Sequence, residues 1–252
     1  NRVDTLLVLG DLITGQNPIE KGKYLMTPGM QIDSQEEACA ELLKRTVDMV
    51  PSISEVLIWQ GTPYHGLKAH SIERGIANLL QAKCPKLKVR YVGEYAYLVL
   101  KHKGRKKTLW LTHPSSHALV YPETAAGRDI MFWHSAIARG KLPKVDVVIR
   151  AHGHYHMELH KEEIRYIMLP CWQWFVPYDK ALKYFSKFQP DIGGYLLLFD
   201  DKLRMSAWHF IYPNITEDPK EIVVQYKGED GAPLLQEDSK PLKKDGEPLL
   251  EE

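Results

Sequence analysis

Residues 146–156 read Asp-Val-Val-Ile-Arg-Ala-His-Gly-His-Tyr-His. The apolar triplet Val147-Val148-Ile149 predicts a buried strand, and the strand empties into His152, His154 and His156. Residues two apart in extended chain point to the same side. Past a strand end, Gly153 lets the backbone turn and brings neighbouring imidazoles together. A histidine-rich surface turn is the plain alternative. Three of the chain's eleven histidines within five residues, at a strand exit, point instead to a metal site, because imidazole is the commonest protein ligand for transition metals.

Working outward, other short apolar runs end in the same way. Val3 to Leu9 has strand length and stops at Gly10, with Asp11 next. Ligands of α/β proteins gather beyond the carboxyl ends of the strands, which places Asp11 where chemistry is done. Val56-Leu57-Ile58-Trp59 predicts a second buried strand, followed by Gly61-Thr62-Pro63-Tyr64-His65. Leu109-Trp110-Leu111 predicts a third, leading into Thr112-His113. Between them, helices are expected over 34–49, with Ser34 as N-cap and Glu37 completing a capping box, over 70–82 and over 124–139. Strands are also expected over 89–91, 95–100, 164–169, 193–199 and 203–211, with a short helix over 179–188. Strands alternating with helices of these lengths predict an α/β (α+β) sheet protein. Residues 12–33 read as a long loop, and from residue 213 onward Pro, Gly and charges displace periodicity. The expected organisation is therefore a domain over 1–212 and a charged tail over 213–252. In the tail, Gly231-Ala232-Pro233-Leu234-Leu235 recurs as Gly246-Glu247-Pro248-Leu249-Leu250, a candidate docking element for a protein partner against the commoner reading of a flexible tail with chance similarity.

Composition narrows the classes. With 252 residues, 44% hydrophobic and 26% charged, the chain has the make-up of a globular protein with a sizeable core. A formal charge of +1 gives no strong field for nucleic acid or an anionic membrane. Cys39, Cys84 and Cys171 are odd in number and lack Cys-x-x-Cys spacing, which favours a reducing, cytoplasmic setting. Cys171 is a candidate thiolate only against the commoner role of a buried structural cysteine. No apolar run approaches the 18 residues of a membrane span.

The strand exits together present Asp11, His65, His113 and the pair His154 and His156. One carboxylate with several imidazoles suits Mn, Fe, Zn or Ni better than Mg or Ca. On these residues the chain resembles the calcineurin-like metallophosphoesterases, most closely the phage and prokaryotic versions. Leu9-Gly10-Asp11 is similar to the family's Gly-Asp motif, Thr112-His113 to its single metal-binding His, and Gly153-His154-Tyr155-His156 to its Gly-His-x-His signature. Arg128 to Ile149, Pro170-Cys171-Trp172-Gln173 and Asp191-Ile192-Gly193-Gly194 carry the resemblance further, over roughly residues 3–212. It implies a sandwich of two mixed sheets flanked by helices, and two divalent ions, manganese foremost, with iron, zinc or nickel as alternatives. It implies as metal ligands Asp11, bridging both ions, with His113 and His154 on the second and His156 on the first. His152 has no place in the matched motif and is expected to play a supporting or structural part.

Two departures stand out. Where the family has Gly-Asn-His, this chain has Gly61-Thr62-Pro63-Tyr64-His65. His65 alone carries over, as the acid for the leaving group, and Thr62 is expected to be a poor metal ligand. The family's leading Asp-x-His is absent, and because Asn1 runs straight into a strand, a preceding segment is expected, with degeneration of the motif as the alternative. The resemblance implies hydrolysis of phosphate mono- or diesters, nucleotides and nucleic acids among them, by hydroxide generated at the dinuclear site, with no membrane partner. The alternatives are a catalytically inactive scaffold that binds other proteins, supported by these departures and the repeated tail motif, and a nuclease of the same superfamily.

Overall fold

The computed structural model describes residues 3–15, 31–62, 69–114, 122–173 and 190–212. The loop over 16–30, His65, the expected helix at 179–188 and the tail from 213 lie outside the described residues. Ten strands and three helices follow the order β1 (Thr5–Leu9), α1 (Ile32–Met49), β2 (Glu55–Trp59), α2 (Ala69–Lys83), β3 (Lys88–Gly93), β4 (Tyr95–His102), β5 (Arg105–Thr112), α3 (Pro122–Ala138), β6 (Val147–Arg150), β7 (Met157–Lys161), β8 (Ile164–Met168), β9 (Ile192–Phe199) and β10 (Met205–Tyr212) among the described residues.

The strands form a parallel sheet β1-β2-β3, a mixed sheet β4-β5-β6-β8-β7 and a hairpin β9-β10. The fold is α/β. Within the mixed sheet, β5, β6 and β8 run parallel, while β4 and β7 add antiparallel edges.

Side-chain parity assigns the layers. In β2, Val56 and Ile58 pack with Ala40 of α1 and Ile72, Ile76 and Leu80 of α2, whereas Leu57 and Trp59 turn to the other face. There they meet Leu109 and Leu111 of β5, Val147 and Ile149 of β6 and Ile167 of β8. Val148, Tyr166 and Met168 point away again, against Ala126, Ile130 and Trp133 of α3. The order is helices, sheet, sheet, helix, with Leu57, Trp59, Leu109 and Leu111 in the seam. Strands covered on both faces must be apolar at every position, which is why β2 and β6 read as unbroken apolar runs.

Two departures of the fold from the sequence reading have a plain physical reason. Helix α1 begins at Ile32, behind an extended Gln31 that gives no side-chain cap. Ile32 packs on the α1–α2 core, and that burial extends the helix past the polar signal of Ser34. Strand β7 was not expected, because Met157-Glu158-Leu159-His160-Lys161 has only alternating apolar residues. It is an edge strand turned back onto β8, with Met157 and Leu159 toward α3.

Leu111 is fully buried in the seam. Leu111→Ala is expected to lower the unfolding free energy by about 2–5 kcal/mol, read by urea denaturation followed by circular dichroism. A loss below about 1 kcal/mol would show that the two sheets do not close over this position.

Candidate metal centre

The ends of β1 and β2 lie closer together than side chains permit. A Cβ on Gly10, whose φ is +67°, would stand 2.6 Å from the Gly61 Cα. A Cβ on Gly61 would stand 2.2 Å from both the backbone nitrogen and Oδ1 of Asp11. The two glycines thus let the strand exits press together, and Asp11 leaves β1 with a left-handed φ of 51° that turns its carboxylate over the end of β2. Thr62 then fixes that carboxylate. Its backbone N–H donates to Oδ1 at 2.5 Å, and its hydroxyl lies 3.0 Å and 3.1 Å from the two oxygens. Thr62, expected to be a poor metal ligand, is here a hydrogen-bond donor to Asp11.

His113 enters from the other sheet. Its Nδ1 lies 2.5 Å from the Leu9 carbonyl, an acceptor, so Nδ1 carries the proton. In the neutral ring Nε2 is then a lone pair, and it lies 2.6 Å from Asp11 Oδ2. Two acceptors at that separation repel, so the contact calls either for a second proton, on Nε2, donated to Asp11, or for a cation between the two atoms. A third lone-pair donor completes the group. His152 Nδ1 is 3.3 Å from His113 Nε2 and 3.4 Å from Asp11 Oδ2. The Asp11 and His113 side chains are 7% and 3% exposed, so water screens the group little.

This donor set fits a divalent transition metal. Tetrahedral bonds of about 2.0–2.1 Å put ligand atoms roughly 3.3 Å apart. The two edges to His152 match that spacing, and the Asp11–His113 edge is shorter. The Nδ1–H bond to Leu9 is the outer-sphere hydrogen bond by which a ligating histidine is aimed.

The histidine turn departs from period two. His152 and His154 have φ of +69° and +57°, so extended-chain alternation does not run through them. The structure places His152, rather than His154, against Asp11 and His113. Asp191 staples the far side of the turn, its N–H donating to the His154 carbonyl at 2.9 Å and its Oδ2 accepting from the His156 N–H at 2.6 Å. His156 lies in a different group, with Glu158 and His209. Burial, and then the neighbouring His209, hold the His156 pKa below the usual imidazole range. The turn carrying His113 is tied back by Arg150, which donates to Asp129 at 2.9 Å and to the Pro114 carbonyl at 2.7 Å.

Two further groups bear on the chemistry. Glu73 of α2 is 4% exposed and sits at a core position in step with Ala77 and Leu80. Burial raises its pKa above the usual carboxylate range, and the Asp11 charge pushes the same way. Sequence reading missed Glu73, although a charge on the apolar face of a helix was a visible signal. Cys171, a candidate nucleophile, is pushed up by burial, which disfavours the thiolate.

Neither a protein-family model nor a curated relative matches the chain. Among solved structures, it is similar to wild-type Vps29 complexed with zinc from Entamoeba histolytica, with 13% identity over 82% of this chain and 98% of that chain and a TM-score of 0.38. It is similar also to a conserved uncharacterised protein from Streptococcus pneumoniae, described as a predicted phosphoesterase, with 10% identity over 84% and 94% and a TM-score of 0.37. A Thermotoga maritima protein solved by NMR shows 12% identity over 83% and 99%, with a TM-score of 0.35. Likeness at this level carries no weight for activity, which has to be read from the side chains.

Glu73 gives a test of the site's electrostatics in the metal-free protein. Its folded carboxyl holds the proton more tightly than the unfolded one, so stability is full below the unfolded value and falls as pH rises from there through the folded value. Glu73→Gln, neutral throughout, removes that fall. The variant is expected to raise Tm at pH 8 relative to the parent and to leave the difference near zero at pH 4, by differential scanning calorimetry. An equal shift at both pH values would show that Glu73 does not carry the effect.

Proposed function

We propose that this protein is a metal-dependent phosphoesterase. The observation that carries the reading is the convergence of three lone-pair donors, Asp11 Oδ2, His113 Nε2 and His152 Nδ1, at neighbouring strand exits of two facing sheets. A divalent ion held there supplies Lewis acidity, offsetting phosphate charge and lowering the pKa of water at neutral pH.

The chain's own residues have distinct parts. Asp11 and the two imidazoles hold the ion, and Thr62 and Leu9 fix the orientation of Asp11 and His113 so that little reorganisation accompanies substrate binding. In the two-ion form expected from the sequence, Asp11 is the shared carboxylate, with His113 and His154 on the second ion and His156 on the first; among the described residues His156 groups with Glu158 and His209 instead. Manganese is the first candidate for both, with iron, zinc or nickel as alternatives. His65 stands as the candidate acid for the leaving oxygen. Substrates are phosphate mono- or diesters, with nucleotides among the candidates.

The test is turnover of bis-p-nitrophenyl phosphate, p-nitrophenyl phosphate and single-stranded DNA with added Mn²⁺, beside His152→Ala and Asp11→Asn. Losing an outer partner of a metal ligand already costs 10–100-fold, so losing the ligand itself is expected to lower kcat/KM by roughly 100-fold or more. Preference among the three substrates separates monoesterase, diesterase and nuclease. Absence of metal-dependent turnover on all three, in protein that binds metal, sinks the enzyme reading in favour of a metal-binding scaffold.

A further inference from the structure

A second group of donors lies apart from Asp11. His156 stands immediately before β7, Glu158 is in β7 and His209 is in β10, and their candidate ligand atoms all lie within 4.8 Å of one another. The imidazoles of His156 and His209 are stacked with centroids 4.2 Å apart and planes tilted by 36°.

Strand parity makes this placement unusual. In β7, Met157 and Leu159 face α3, so Glu158 faces the opposite way, the side on which its β8 partner Ile167 enters the seam between the sheets. In β10, Met205 and Ala207 pack on that same seam, and His209 continues their parity. Its cross-strand partner is Tyr195, where Leu197 and Phe199 partner the apolar pair. Strand β7 therefore turns Glu158 toward the seam, and β10 carries His209 on the same parity as Met205 and Ala207 but at its exposed end, both at positions where the pattern calls for an apolar side chain. That is costly unless the polar atoms are satisfied.

One of them is not. His156 Nε2 is buried and has no hydrogen-bond partner. Glu158 is arranged as a ligating carboxylate would be. Arg165 donates to its Oε2 from Nε at 2.9 Å and from Nη2 at 2.5 Å, which fixes the plane of the group, and the Tyr195 hydroxyl interacts with the same carboxylate. Tyr195, its ring 5.5 Å from His156, walls one side. Stacking alone would leave the buried Nε2 without a partner.

We propose that His156, Glu158 and His209 form a second metal site, of the two-histidine, one-carboxylate kind that takes Zn²⁺, distinct from the Asp11 centre. Such a set supplies three of four tetrahedral positions and leaves the fourth to water on the exposed side of His209. Its physical role is a clip. Among the described residues, the hairpin β9-β10 joins the rest of the backbone ladder only through the bridge between Cys171 and Ile192. An ion on His209 and Glu158 ties the hairpin to edge strand β7, and metal binding to the folded state alone stabilises it.

The experiment uses the full chain, freed of metal by chelator dialysis and titrated with Zn²⁺ by calorimetry, with Tm followed in parallel. His152→Ala removes a donor of the Asp11 centre and is expected to keep the second site, with a Zn²⁺-dependent rise in Tm. Adding His209→Ala to that variant is expected to weaken the remaining Zn²⁺ binding by roughly 100-fold or more and to abolish the rise. His209 is an exposed side chain, and circular dichroism of the metal-free variants checks that both fold alike. If the single and double variants bind Zn²⁺ with the same affinity, or if neither gains Tm, the second site is overturned. Phosphoesterase activity is not read in this experiment, so the outcome is independent of the catalytic proposal.

Discussion

The centre depends on a backbone contact that only glycine allows. Two parallel strands normally keep their exits about 4.8 Å apart, with side chains between them and the next layer. At Gly10 and Gly61 that spacing collapses, since a Cβ on either would enter the backbone of the other strand's exit. The collapse brings the Thr62 N–H and hydroxyl onto the Asp11 carboxylate. Just before Gly10, the Leu9 carbonyl takes the His113 Nδ1–H from the facing sheet. A methyl group at either glycine would disturb the Asp11 orientation, the His113 tautomer and the approach of the two sheets together.

Electrostatics at this point work against the fold. The Asp11 carboxylate and the His113 imidazole meet buried at one end of the seam beside His152, and the buried Glu73 carboxyl on α2 is near enough to feel the Asp11 charge. Burial, with the Asp11 charge pushing the same way, raises the Glu73 pKa and so favours its neutral form. For Asp11 and His113 a proton on Nε2 would satisfy the pair while Nδ1 stays on Leu9, and a divalent cation competes for that same place. A cation held between them turns the conflict into binding energy. The buried seam thus provides the low dielectric that makes a metal ion effective, while the strand exits provide the ligands.

The layers were legible because burial on both faces leaves a plain mark. Val56 to Trp59 and Val147 to Ile149 have no polar residue to hide. Asp11 and His113 were legible for a related reason, each being among the first polar residues after an apolar strand. The structure brings these two together. β7 left no such mark, since an edge strand covered on one face needs only Met157 and Leu159 to be apolar. Glu73 was hidden by the habit of reading a helix for its apolar residues and passing over a charge among them. His152 is visible in the sequence as one of three histidines at the strand exit, and only the matched motif has no place for it; its left-handed backbone is what the sequence does not display.

That geometry also explains how one short run of histidines serves two places. With His152 to His156 extended, all three rings would have lined one face, and one site would have claimed them. The left-handed residues 152 and 154 rotate the chain between them, so His152 stays with Asp11 while the chain turns away. Asp191 accepts the His156 N–H and donates to the His154 carbonyl, which ends the turn and hands an extended chain to β7. Period two resumes only there. His156 and Glu158 then share a face because they are two apart, and that face meets His209 rather than Asp11. The division of the run follows from two backbone dihedrals and one carboxylate, and the imidazoles themselves need differ in nothing.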